Sequence, residues 1–186
     1  MPTDSAAGLL LARGADRLEH PGGTLYAHLR RVHATLGEWG ARPELRLAGL
    51  CHAFYGTDGF AEALGDPDRR GELIDVIGAE AEALVYLYAS CDRSRTYPHL
   101  ASADGPFTDR FTGAVHRPSQ ERRRDFAELT VANELDVLAA SPDLRVAHGE
   151  ALTALFATWR PLLSTAAGRA VQAFAKTWAG RPAAGR

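Results

Sequence analysis

Thr24-Leu25-Tyr26-Ala27-His28-Leu29-Arg30-Arg31-Val32-His33-Ala34-Thr35-Leu36-Gly37-Glu38-Trp39 is the stretch whose reading decides the fold. Its apolar residues Leu25, Leu29, Val32, Leu36 and Trp39 recur at intervals of three and four, which is one face of an α-helix. Thr24 is a suitable N-cap after Pro21-Gly22-Gly23, and Gly40 a suitable stop. The same period continues outward. Pro43 suits a first-turn position and opens a second helix running to about Phe54. Tyr55-Gly56-Thr57-Asp58-Gly59 reads as a turn, and a short helix is expected over residues 60–64. Further helices are expected from Arg69 to Ile77, from Ala79 to Asp92 and from about Ser119 to Ala140. Two more, broken near Pro161, should fill Pro142 to Trp178. Residues 98–118 lose the helical period and carry Pro98, Gly105, Pro106, Gly113 and Pro118, so an irregular or hairpin insert is expected there. The expected fold is an all-α bundle of about seven or eight helices. One domain spans residues 1–180, and a frayed tail covers residues 181–186.

Bulk properties narrow the function. The 186 residues are 46% hydrophobic and 24% charged, too apolar for a disordered chain. The net charge of −2 argues against nucleic acid as a partner, because phosphate contacts dominate that affinity. Cys51 and Cys91 lie in apolar runs and read as buried thiols of a reducing compartment. No apolar stretch is long enough to span a bilayer. The apolar Ala6–Ala12 follows Asp4, not a basic region, which argues against a signal peptide and for the cytoplasm. There is no glycine-rich phosphate loop, no Gly-x-Ser-x-Gly elbow and no Cys-x-x-Cys pair.

Chemistry concentrates in the histidines. His28 lies on the first helix, His52 near the end of the second, and a short connection lets the two meet at one end of an antiparallel pair. Asp92 ends a later helix, where the helix dipole disfavours an anion by about 0.3–1 kcal/mol unless a cation lies nearby. His28, His52 and Asp92 therefore form a candidate metal set, two imidazoles and a carboxylate with open positions, suited to Fe(II), Mn(II) or Zn(II). The plain alternative for each histidine is a hydrogen-bonded or surface group.

His28-Leu29-Arg30-Arg31-Val32, then Leu45-Arg46-Leu47-Ala48-Gly49-Leu50-Cys51-His52-Ala53, then Asp92, resembles the HD-domain superfamily. His52-Ala53-Phe54-Tyr55-Gly56-Thr57, with His20 upstream and Ala132-Asn133-Glu134-Leu135-Asp136 downstream, also resembles a family of uncharacterised HD-like bacterial proteins. The resemblance implies a helical bundle. Many such proteins are metal-dependent phosphohydrolases, and a minority are iron oxygenases. Ala53 departs from the pattern, which has a metal-binding aspartate after the second histidine. The departure argues for a single ion, or none, in place of a dinuclear centre.

His20, on the turn before the His28 helix, is the candidate replacement ligand; its alternative role is packing. With His20, His28, His52 and Asp92 around one divalent ion, the net charge is near +1 and favours a small anionic metabolite. Arg93 is a candidate for holding a carboxylate or phosphate, or else a helix-end charge. Tyr55 and Thr57 offer substrate-binding hydroxyls or close their turn. Asn133 is a candidate substrate contact, and Glu134 or Asp136 a candidate catalytic base. A buried hydrogen-bond network accounts for the same residues. The expected function is mononuclear metal-dependent hydrolysis. The alternatives are a non-heme iron oxygenase and a metal-free ligand-binding pseudoenzyme. A small molecule is the expected partner, and a homodimer is allowed.

Overall fold

The computed structural model describes residues 2–177; Trp178 and the tail 181–186 lie outside the described residues. The described residues form an all-α fold with two small hairpins. It opens with α1 (Pro2–Ala12), the strands β1 (Glu19–His20) and β2 (Gly23–Thr24), then α2 (Leu25–Glu38) and α3 (Pro43–Cys51). Next come α4 (Gly71–Ile77), α5 (Ala79–Ala89) and the single turn α6 (Arg93–Thr96). A hairpin of β3 (Phe107–Thr108) and β4 (Val115–His116) fills the irregular segment. It is followed by α7 (Gln120–Ala140), α8 (Pro142–Thr158) and α9 (Thr165–Lys176).

Local chemistry sets these boundaries. Thr24 Oγ1 accepts from Ala27 N at 3.3 Å at the start of α2. Ser119, Ser141 and Ser164 cap α7, α8 and α9 in the same way, each satisfying an amide the helix leaves unpaired. Inside α7, Phe126, Ala127, Leu129, Thr130, Val131 and Ala132 are all buried. A helix buried all round has to sit in the middle of the molecule, and α7 packs on α2, α3, α5, α8 and α9.

Three expected helices end early or do not form. The one expected to reach about Phe54 stops at Cys51, and Phe54 N donates back to Cys51 O at 2.8 Å. The helix expected over residues 60–64 is replaced by a turn: the amides of Leu64 and Gly65 both donate to Phe54 O at 2.9 Å, and Thr57 and Phe60 bridge each other. Those amides cannot also form helical bonds. The helix expected to reach Asp92 stops at Ala89. Asp92 N donates to Thr108 O at 2.9 Å, and Arg110 N donates to Ser90 O at 2.6 Å. Pairing with the hairpin segment takes residues 90–92 out of the helix. Among the described residues, no helix is long and apolar enough to cross a membrane.

A candidate histidine centre

Three elements bring the histidines together. The helices α2 and α3 approach closely because position 49 is glycine: a Cβ there would lie 2.4 Å from Leu36 Cδ1. This places His28, in the first turns of α2, beside His52, the residue that ends α3. The tight turn at Pro21-Gly22, with Gly22 at φ +82°, pairs His20 with Gly23 and folds β1 back over α2. The His20 ring stacks on His28 with centroids 4.1 Å apart. Both His28 and His52 are buried.

Each imidazole of the central pair is held by its outer nitrogen. His28 Nδ1 donates to Asp136 Oδ2 at 2.7 Å, and His52 Nδ1 donates to Gly49 O at 2.8 Å. With each ring neutral and its proton on Nδ1, the Nε2 lone pairs point inward. The two Nε2 atoms are 3.3 Å apart. Asn133 Oδ1 lies 3.0 Å from His28 Nε2, and its orientation is fixed because Asn133 Nδ2 donates to Glu134 Oε1 at 3.1 Å. Three electron-pair donors thus face one point with no donor of their own between them. Nearby, His20 Nδ1 is buried without a hydrogen-bond partner among the described residues.

Electrostatics favour the neutral form of His52 and His20. Burial, then repulsion from His28, pushes His52 down to about 3 and His20 down to about 4. Burial alone would raise Asp136, but hydrogen bonds from His28 and Arg31 outweigh it and hold the carboxyl at about 2. Arg31 grips that carboxylate with two bonds, Nε to Oδ1 at 2.7 Å and Nη2 to Oδ2 at 2.9 Å.

Several residues singled out from the sequence have other places. Asp92 does not close a helix. It is the N-cap of α6, accepting from Arg95 N at 3.1 Å and Ser94 Oγ at 2.7 Å. At a helix N-terminus the dipole favours its charge, so the sequence argument for a neighbouring cation falls away. Tyr55 is buried, but its hydroxyl donates to Glu82 Oε1 at 3.0 Å, in a cluster with Arg70 away from the histidines. Asp136 stands behind His28 and is too weak a base at about 2 to take a proton near neutrality; it positions the ring. Arg93 does reach the site, but its Nη1 donates to Glu134 Oε1 at 2.9 Å, so its charge is already matched. Among the described residues, no three His, Cys, Asp or Glu side chains are arranged to hold a metal ion. The convergent third donor is the amide oxygen of Asn133, which the sequence reading assigned to substrate.

A cavity of about 490 Å³ opens beside this centre. His20, His52, Asn133, Glu134 and Arg93 line one end, with Thr57 and Phe60 from the turn after α3. Another wall is α8, through Leu144, His148, Ala151, Leu152 and Leu155. His148 at this wall is a site residue the sequence reading missed. Its spacing of four from Leu144 and from Leu152 puts it on the same helix face, and that was the available signal.

A model of a protein family described as a domain of unknown function (DUF6817) matches residues 9–93, just under half of the chain. The matched stretch contains His20, His28, His52 and Arg93, whereas Asn133, Glu134 and the α8 wall lie beyond it. Neither a curated protein nor a solved structure matches the chain.

Proposed function

We propose that the chain is a mononuclear metal-dependent enzyme that hydrolyses a small molecule bound in the cavity beside His20 and His52. One observation carries this reading: the 3.3 Å between the Nε2 atoms of His28 and His52. Two nitrogens bonded to one ion at about 2.0–2.1 Å in tetrahedral geometry stand about 3.3–3.4 Å apart. The supporting contacts fit as well. Metal-binding histidines commonly give their outer N–H to a carboxylate or a backbone carbonyl, as His28 does to Asp136 and His52 to Gly49. His28, His52 and Asn133 Oδ1 would hold the ion, with His20 the nearest further imidazole. All four are neutral donors, and the resemblance to HD-domain proteins points to the same chemistry.

A divalent ion in such a place supplies Lewis acidity, lowering the pKa of a water or polarising a substrate oxygen. The chain does the rest. Both bonds to Glu134 fall on Oε1, so Oε2 remains an acceptor at the cavity and suits a general base. Arg93 holds Glu134 in place. Phe60 packs edge-on against His20, with centroids 5.4 Å apart, and shields that side from water. Iron and dioxygen at the same donors would make the enzyme an oxygenase, the alternative chemistry. A second reading rests on the same 3.3 Å contact: a proton on one Nε2 would also join the two rings, giving a metal-free binding protein.

Elemental analysis of protein purified without chelator decides between these. One equivalent of zinc, manganese or iron per chain, lost in His52→Ala and in His28→Ala, is the expected result. Metal content that is negligible, or that survives both substitutions, would overturn the metal reading and leave the proton-bridged one. Iron together with oxygen-dependent turnover would select the oxygenase.

A further inference from the structure

We infer that the cavity takes a compact, mainly apolar molecule with a single oxygen-bearing head, and not a phosphorylated or polyanionic metabolite. The inference rests on the proposed site for where the head lies, but its argument comes from the walls. Beyond the histidine end, the cavity is walled by Val137, Leu138, Leu144, Leu152 and Leu155, with His148 the polar side chain among them. A phosphate or polycarboxylate needs several converging donors along its body as well as positive charge, and the charge of a bound ion would serve the head alone. Among the described lining residues Arg93 is the only arginine or lysine, and it is salt-bridged to Glu134 at 2.9 Å. Taking it for an anion would strand Glu134, which is itself buried. A single head group can be met at the Asn133 and His52 end, while the remaining body of the ligand displaces water from leucine side chains. The volume, about 490 Å³, suits one small molecule of this kind.

Naphthol and naphthoate are suitable probes, sharing one apolar skeleton and carrying one head each; citrate and glucose phosphate are the polyanionic and phosphorylated counterparts. Binding is followed by naphthyl fluorescence and by calorimetry on chelator-treated protein, because citrate and phosphates coordinate zinc themselves; zinc uptake is measured separately. Both naphthyl probes should bind at least about tenfold more tightly than citrate or glucose phosphate, and Leu152→Gln should weaken them about tenfold by setting an amide against the ligand. Ala151 is exposed on α8 and lines the cavity, so Ala151→Leu narrows the space with no cost to the fold and should weaken the same probes. Citrate or glucose phosphate binding as tightly as the naphthyl pair would overturn the inference. So would naphthyl affinity unchanged in both variants. Loss of the metal reading shows up separately, as absent zinc uptake with naphthyl binding to the chelator-treated protein intact.

Discussion

Asp136 accepts one bond from His28 and two from Arg31, and its worth to the site lies in charge as much as in geometry. Asp136→Asn keeps an oxygen for His28 Nδ1 but removes the anion that makes the imidazole a stronger donor. Metal affinity should fall about 10–100-fold, as is usual when such an outer partner is changed, with helix content unaltered. A chelator-competition titration measures it, and unchanged affinity would count against the positioning role. Ala53 gives the opposite test. It is buried beside His52 and lines the cavity. Ala53→Asp should destabilise the metal-stripped protein, because a buried carboxylate lacks a partner there, and added zinc should restore stability beyond the wild-type gain. Melting temperatures with and without zinc test this. A variant that zinc fails to rescue would mean the new carboxylate does not face the ion.

At the scale of elements, the contacts around α5 and α3 separate what can move from what cannot. Arg70 donates to Glu82 from Nε at 2.7 Å and Nη2 at 2.6 Å. The Glu82 side chain is 1% exposed and the Arg70 side chain 37%. Removing Arg70 leaves a buried carboxylate without its counter-charge, held by the Tyr55 hydroxyl, whereas an unpaired Arg70 can turn to water. Arg70→Ala should therefore cost about 3 kcal/mol and Glu82→Gln clearly less, as read from urea unfolding midpoints. Equal losses would mean that Glu82 is hydrated. At the α2–α3 contact, Gly49→Val should cost about 1–3 kcal/mol by overpacking Leu36, and it should also weaken zinc binding by parting His28 from His52.

These same elements show what the sequence made legible. The period of α2, with its Thr24 cap, was readable because cap and apolar face lie within sixteen residues of chain. The meeting of His28 and His52 followed from one short connection, and the approach of His20 from one turn. Asp92 was not readable in the same way. The apolar period of α5 runs on through Cys91, and only the distant pairing with Thr108 and Arg110 shows where the helix breaks. Tyr55 was misassigned for a similar reason: its partner Glu82 is remote in sequence. The helix α1 lies outside the elements expected from the sequence. Asn133 was placed at the site, but its role as a donor facing two imidazoles needed the orientation that Glu134 imposes.

For the whole molecule, acid should act through the same centre. His20 and His52 are held at about 4 and about 3 in the folded chain by burial and by repulsion from His28, against about 6.5 when unfolded. Between those values the unfolded chain binds protons that the folded chain does not, so stability rises with pH and is lost as pH falls below about 6.5. Asp136, held at about 2 against an ordinary 3.8, removes a further share as pH drops below 3.8. The metal-stripped protein should therefore lose stability well before carboxylates titrate, with its urea midpoint falling from pH 7 to pH 5. Zinc binds only neutral imidazoles and stabilises the folded state by mass action. The stabilisation by zinc should be largest near pH 7 and shrink with acid, as the metal competes with protons for the same lone pairs. His52→Ala should flatten both curves, since it removes a buried ring and a donor together. A zinc effect independent of pH, or a His52→Ala midpoint as acid-sensitive as the wild type, would show that these imidazoles are not what couples the fold to protons.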